Sequence, residues 1–170
     1  DVPALLHGGP FRFSREPELG YFPGEEAVAA WSLLRTPRVF EDFPALKIVV
    51  GHGGGYIPYQ AGRGRAFRLN AMRNDPSLES FDDSMRRLYY DTVLYDQDAM
   101  DLLVKVVGVD RCLFGSDKPA NGSVHDPATG RALNDLRPLV EAVPGLTDAD
   151  RAAIFEGNAR AAYSRLRLED

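Results

Sequence analysis

The sequence is poor in the residues that tie a small fold together covalently. Its 170 residues include one cysteine, Cys112, so no internal disulfide can form and a Cys₄ zinc site is excluded. Histidine is almost as scarce: His7, His52 and His125 are the whole supply. No apolar run approaches the ~20 residues of a membrane span. No signal-peptide pattern occupies the first residues, so the expected compartment is the cytoplasm. Basic charge is also short, with 20 Lys and Arg against 25 Asp and Glu, a net −5. A surface of that sign repels phosphate backbones, and no nucleic-acid partner is expected. What remains is ordinary for a globular protein, 44% hydrophobic and 26% charged. The length fits one domain. An apolar run begins almost at once, Val2 to Leu6, without the frayed polar residues that open most domains. The expectation is a trimmed terminus or a chain that begins inside a larger fold.

Hydrophobic periodicity supplies the architecture. Residues 2–7 read as a short buried strand ending at His7, broken by Gly8-Gly9-Pro10. An aromatic loop follows over 11–24. Ala27, Ala30, Trp31 and Leu34 then lay one stripe on a helix over 25–35. Pro37 interrupts it, and a short helical turn follows over 38–43. The β-branched run 46–50 is the strongest strand signal and stops at Gly51-His52-Gly53-Gly54-Gly55. Helices are predicted over 57–72 and 78–85, a strand over 88–93, a helix over 98–107 and a strand over 111–115. A polar loop covers 118–131. Helices over 134–142, 148–156 and 159–166 close the chain, with Thr147 and Asp150 as a capping-box variant. Strands alternating with amphipathic helices imply a parallel sheet covered by helices.

That topology gives the scarce residues meaning. His7 and His52 each end a predicted parallel strand, and Asp117 ends another. Ligands and catalysis gather at that end of α/β sheets. Two imidazoles and a carboxylate are donors suited to a catalytic divalent metal. The glycines around His52 free the backbone for a sharp turn and close approach of a ligand, but they match no phosphate-loop pattern. Gly115-Ser116-Asp117 does not form a nucleophile elbow. Arg63 and Arg65 follow on the next helix, where a guanidinium could pair with a substrate carboxylate or simply face solvent. Asp91 ends the third strand and could orient a ligand, His125 lies in a polar loop, and Trp31 reads as core.

Five segments carry a resemblance. They are Leu46–Val50 with Gly51-His52-Gly53-Gly54, then Tyr90-Asp91-Thr92, then Leu113-Phe114-Gly115-Ser116-Asp117-Lys118-Pro119, and Glu156-Gly157-Asn158-Ala159-Arg160, joined by the 120–133 loop with Asp126-Pro127. Together they resemble the amidohydrolase-related family, in its aminocarboxymuconate-semialdehyde decarboxylase branch; the 120–133 loop and the stretch Gly53-Gly54-Gly55-x-x-Pro58-Tyr59-x-x-Gly62-Arg63 look most like the 4-oxalomesaconate hydratases. The resemblance implies a metal-dependent (β/α)₈ TIM barrel acting on small carboxylated substrates from aromatic-compound breakdown. It implies that His7 is a metal ligand, that His52 is an acid or base, that Asp117 approaches the metal and shuttles protons, and that Arg63 holds a substrate carboxylate. The implied metal, Zn²⁺ by default with Mn²⁺ as the alternative, lowers the pKa of a bound water towards ~7.

Two departures shape the expectation. The family carries a His-x-His pair on its first strand, and this sequence has none. A full barrel needs about 250 residues, so the chain reads as strands five to eight with their helices, the C-terminal part of one catalytic domain over 1–170. Asp117 stands where the hydratases carry Glu, which leaves decarboxylation and hydration level. A hydrolase of the same superfamily and a catalytically incomplete half-barrel stay open as alternatives. Family members often dimerise, which leaves a homo-oligomer open, although no isolated apolar stripe demands one.

Overall fold

The computed structural model describes residues 2–8, 22–35, 38–119 and 121–165. Four parallel strands form one sheet in chain order: β1 (Ala4–Leu6), β2 (Ile48–Val50), β3 (Leu88–Asp91) and β4 (Cys112–Leu113). Leu5 pairs with Val49, Val49 with Tyr89, and Asp91 with Leu113. Between them run α1 (Phe22–Arg35), α2 (Arg38–Asp42), α3 (Ala61–Met72), α4 (Phe81–Met85) and α5 (Gln97–Val107). After β4 come α6 (Arg137–Ala142), α7 (Asp148–Ala152) and α8 (Asn158–Ala162). Most of the aromatic loop predicted over 11–24 lies outside the described residues, as does Pro37.

Alternation along the strands sorts the side chains into two layers. Ile48, Val50, Leu88, Tyr90 and Cys112 join the main core with Ala27, Ala30, Leu34, Met100, Leu103 and Val107 of the helices. Val49 and Leu113, on the other face, form a smaller cluster with Tyr89 and with Ala159, Ala162 and Tyr163 of the C-terminal region. Burial drives the phenol of Tyr90 and the thiol of Cys112 to stay protonated, the latter with its pKa pushed up to about 12. β1 departs from the expected buried strand: Val2 and Leu5 are more than half exposed, and among the described residues β1 pairs with β2 alone. Trp31 is half-buried rather than central, packed against Phe81 and Tyr56.

The strands are shorter than predicted because their ends turn into loops held by side chains. Thr92, fully buried, receives the Gly115 amide on Oγ1 at 3.1 Å and so ties the end of β3 to the end of β4. Asn158 donates from Nδ2 to the carbonyls of Val109 and Cys112, fastening α8 to the start of β4. These contacts involve three of the sequence segments quoted above. The helix predicted over 148–156 instead widens into a π turn at Ala153–Gly157. That widening leaves the Ile154 carbonyl to accept the Phe114 amide, at 3.0 Å. The expected capping box at Thr147 and Asp150 is present. Among the described residues no helix is long and apolar enough to cross a membrane.

Candidate metal and proton-transfer site

His7 and His52 follow β1 and β2 directly, so the parallel register brings them to the same end of the sheet, with ring centroids 5.6 Å apart. A third group meets them. Glu26 of α1 is 1% exposed, and ligand atoms of His7, Glu26 and His52 all lie within 4.8 Å of one another. His7 Nδ1 donates to the Gly8 carbonyl at 2.7 Å, since a carbonyl can only accept. That contact ties one ring nitrogen to the backbone, as in many metal-ligating histidines. Two imidazoles and a buried carboxylate are a donor set that fits a divalent cation.

Glu26 was not singled out in the sequence, although a signal exists. It falls four and eight residues before Ala30 and Leu34, on the apolar stripe itself. An acidic residue on a buried stripe requires partners, and Glu26 has two: the Gly8 amide on Oε1 at 2.8 Å and His52 Nδ1 on Oε2 at 2.7 Å.

The loop after β2 fixes His52 in a conformation few residues adopt. His52 has φ +50°, followed by positive φ at Gly53, Gly54 and Gly55. Asp91, at the end of β3, accepts the Gly53 amide at 2.9 Å and the Val93 amide at 3.1 Å. It therefore holds the loop that carries His52. Burial raises the Asp91 carboxyl pKa, against the pull of those two amides and His52. Gly55 sits at φ +57°, ψ −122°, and a Cβ there would lie 2.2 Å from the Pro23 carbonyl oxygen. Gly55→Ala is expected to destabilise the fold by at least about 2 kcal/mol, through backbone strain and that clash together. Urea denaturation of the two proteins reads it directly, and an unchanged midpoint would refute it.

Electrostatics converge on the same imidazole. The hydrogen bond to Glu26 raises the His52 pKa above the usual 6.5; burial opposes this, and the charges of Glu26, Asp91 and Asp117 add to it. The folded chain thus holds the proton more tightly than the unfolded one. The resulting stabilisation is complete below about pH 6.5 and drains away as pH rises through the folded pKa. Unfolding free energies at a series of pH values from about 6 upward should decline across that window, and the Glu26→Gln protein should decline less.

Asp117 lies past the end of β4 with φ +55° and accepts the Tyr95 hydroxyl on Oδ2 at 3.0 Å. Desolvation, then the Asp117 contact, lifts the Tyr95 pKa to about 12, so the phenol stays a donor. Gly122 of the 120–133 loop packs over that ring; a Cβ there would sit 2.5 Å from it. Tyr95 carried no recognisable signal in the sequence, because its partner is 22 residues away on another strand end. Arg63 is exposed at the start of α3, with Nε 3.3 Å from Gln60 Oε1. Arg65 is engaged by the Asp82 carboxylate at 2.9 Å, which takes it out of contention as a free clamp. His125 is exposed and bridges to Ala132.

Comparison with known proteins places this geometry. An amidohydrolase family model matches residues 1–165. The chain is 35% identical over 167 residues to a 2-keto-4-carboxy-3-hexenedioate hydratase of Sphingobium sp., covering 98% of this chain and 47% of that protein. The crystal structure of 4-oxalomesaconate hydratase from Rhodopseudomonas palustris superposes with a TM-score of 0.81 at 32% identity, covering 96% of this chain and 46% of that one. A dihydroxybenzoic acid decarboxylase from Polaromonas sp. JS666, solved with bound manganese and an inhibitor, gives a TM-score of 0.69 at 26% identity, over 98% and 51% of the two chains. The chain spans about half the length of these relatives. It belongs to the amidohydrolase family, in the branch that holds these hydratases and decarboxylases.

Proposed function

We propose that the chain is the C-terminal part of a single catalytic domain, strands five to eight of a (β/α)₈ barrel, in a metal-dependent lyase for small carboxylated substrates of aromatic-compound breakdown. The observation that carries this reading is the meeting of His7, Glu26 and His52 within 4.8 Å at the strand ends, with Asp117 acting on the same imidazole. In this reading His7 and Asp117 hold the divalent ion, Zn²⁺ or Mn²⁺, together with ligands outside this chain. Once bound, the ion supplies Lewis acidity toward a substrate oxygen.

The chain's own residues supply the rest. His52, partly enclosed and kept basic by Glu26, moves a proton to or from substrate carbon. Asp117, steadied by Tyr95, shares that proton traffic. Arg63 pairs with a substrate carboxylate through two parallel hydrogen bonds. Hydration is the favoured reaction, because the hydratases match 98% and 96% of the chain at 35% and 32% identity. Decarboxylation is the second reading, favoured by aspartate rather than glutamate at position 117.

The test is product analysis with 2-keto-4-carboxy-3-hexenedioate and with a dihydroxybenzoate. It uses the chain alone and the chain extended upstream by its own coding sequence, each loaded with Zn²⁺ or Mn²⁺. Metal-dependent water addition supports the hydratase and CO₂ release the decarboxylase. Turnover of neither by the metal-loaded extended chain would sink the lyase reading and leave an inactive half-barrel.

A further inference from the structure

A carboxylate buried to 1% exposure on a helix must be fully satisfied, and the way Glu26 achieves this is specific. Oε1 takes the amide of Gly8, the residue after His7, and Oε2 takes Nδ1 of His52. One side chain from α1 thereby joins the chain just beyond β1 to the chain just beyond β2. The fit is closed on a third side by Gly51, where a Cβ would come within 2.9 Å of Oε2. An ionised carboxylate only accepts, so the Nδ1 facing it carries the proton. A neutral His52 then has its lone pair on Nε2.

We propose that Glu26 is the positioning residue of this site: it locks His52 in the Nδ1–H tautomer and so makes Nε2 the proton-transfer atom. The significance of Nε2 rests on the lyase reading above, whereas the tautomer does not. The three-residue cluster would also allow Glu26 to be a metal ligand, and the two roles make different spectra. As a positioning residue it keeps a proton between itself and His52 whether or not metal is present. As a ligand through Oε2 it would give up the Nδ1–H hydrogen bond to His52, and the Nδ1–H preference would go with it.

Long-range ¹H–¹⁵N spectra of the labelled chain, taken on the alkaline plateau where His52 is neutral, read the tautomer directly. His7 and His125 are assigned by substitution. The expected result is a dominant Nδ1–H form that persists when Zn²⁺ is added. In Glu26→Gln the amide has one acceptor to serve two donors. If its oxygen keeps Gly8, its NH₂ group faces Nδ1, and His52 shifts towards Nε2–H; the Nδ1–H share should fall to less than about half. Gly51→Ala, which pushes on Oε2 without removing the carboxylate, should shift the tautomer in the same direction. A dominant Nε2–H form in the unsubstituted chain overturns the proposal. So does an unchanged tautomer in folded Glu26→Ala, which leaves Nδ1 no side-chain acceptor, or loss of the Nδ1–H form on zinc saturation. Absence of turnover beside the expected tautomer would remove the lyase reading and leave the positioning role standing.

Discussion

Substituting asparagine for His52 is expected to lower kcat/KM of the metal-loaded enzyme about 10²–10⁴-fold, the range a general acid or base supplies. The choice of replacement matters. His52 sits at φ +50°, where alanine or a β-branched residue would add backbone strain to the loss of the ring. Asparagine tolerates that region better than other non-glycine residues, and its amide can still donate to Glu26 Oε2. The substitution therefore separates proton transfer from loop geometry. Thermal unfolding and metal content, measured beside the kinetics, should stay close to those of the parent. A loss below tenfold with metal intact would mean that proton transfer runs through another group, with Asp117 the next to test. A large loss accompanied by loss of metal would instead make His52 a ligand.

The positions of His7, His52 and Asp117 were legible in the sequence because each follows a short apolar strand, and parallel strands bring their carboxyl ends together. The four strands and the order of the helices followed from the same periodicity. Element edges were less legible. β4 is two residues long, where its pattern suggested five, because the Phe114 amide turns aside to the Ile154 carbonyl. The partners of the site residues were the least legible. Glu26 reaches His52 across 26 positions, Asp91 reaches Gly53 across 38, and Tyr95 reaches Asp117 across 22. Those pairings depend on the register of neighbouring strands and on how far each helix slides along the sheet, and no local spacing encodes either. One clue was present in retrospect: a glutamate on the buried face of α1 has no reason to be there unless something polar meets it.

The largest stability effect is expected in the outer layer. Arg68 of α3 is 6% exposed, and among the described residues its guanidinium is hydrogen-bonded to carbonyls and a hydroxyl rather than ion-paired. Nη2 donates to the Leu34 carbonyl in the last turn of α1 at 2.6 Å, Nη1 to Ser84 Oγ of α4 at 3.0 Å, and Nη1 also to the carbonyls of Glu79 and Ser80 before α4. One planar fork thus satisfies the end of one helix and the start of another while standing on a third. Arg68→Ala leaves the buried Leu34 carbonyl and the part-buried Glu79 carbonyl without that donor and opens space beside Trp31, Phe67 and Phe81, which line a cavity of about 360 Å³ with Arg68. Unsatisfied buried acceptors cost about 1–3 kcal/mol each, so a loss of about 3–5 kcal/mol is expected, with Tm lower by roughly 10 °C. Arg68→Lys keeps the charge but offers a point donor in place of a fork, and should recover less than half of that loss. Urea midpoints for the three proteins decide the matter. If lysine restored full stability, the charge rather than the geometry of the fork would be what joins α1, α3 and α4. If alanine cost less than about 1 kcal/mol, water must replace the guanidinium on those carbonyls, and the outer layer is more open than its packing implies.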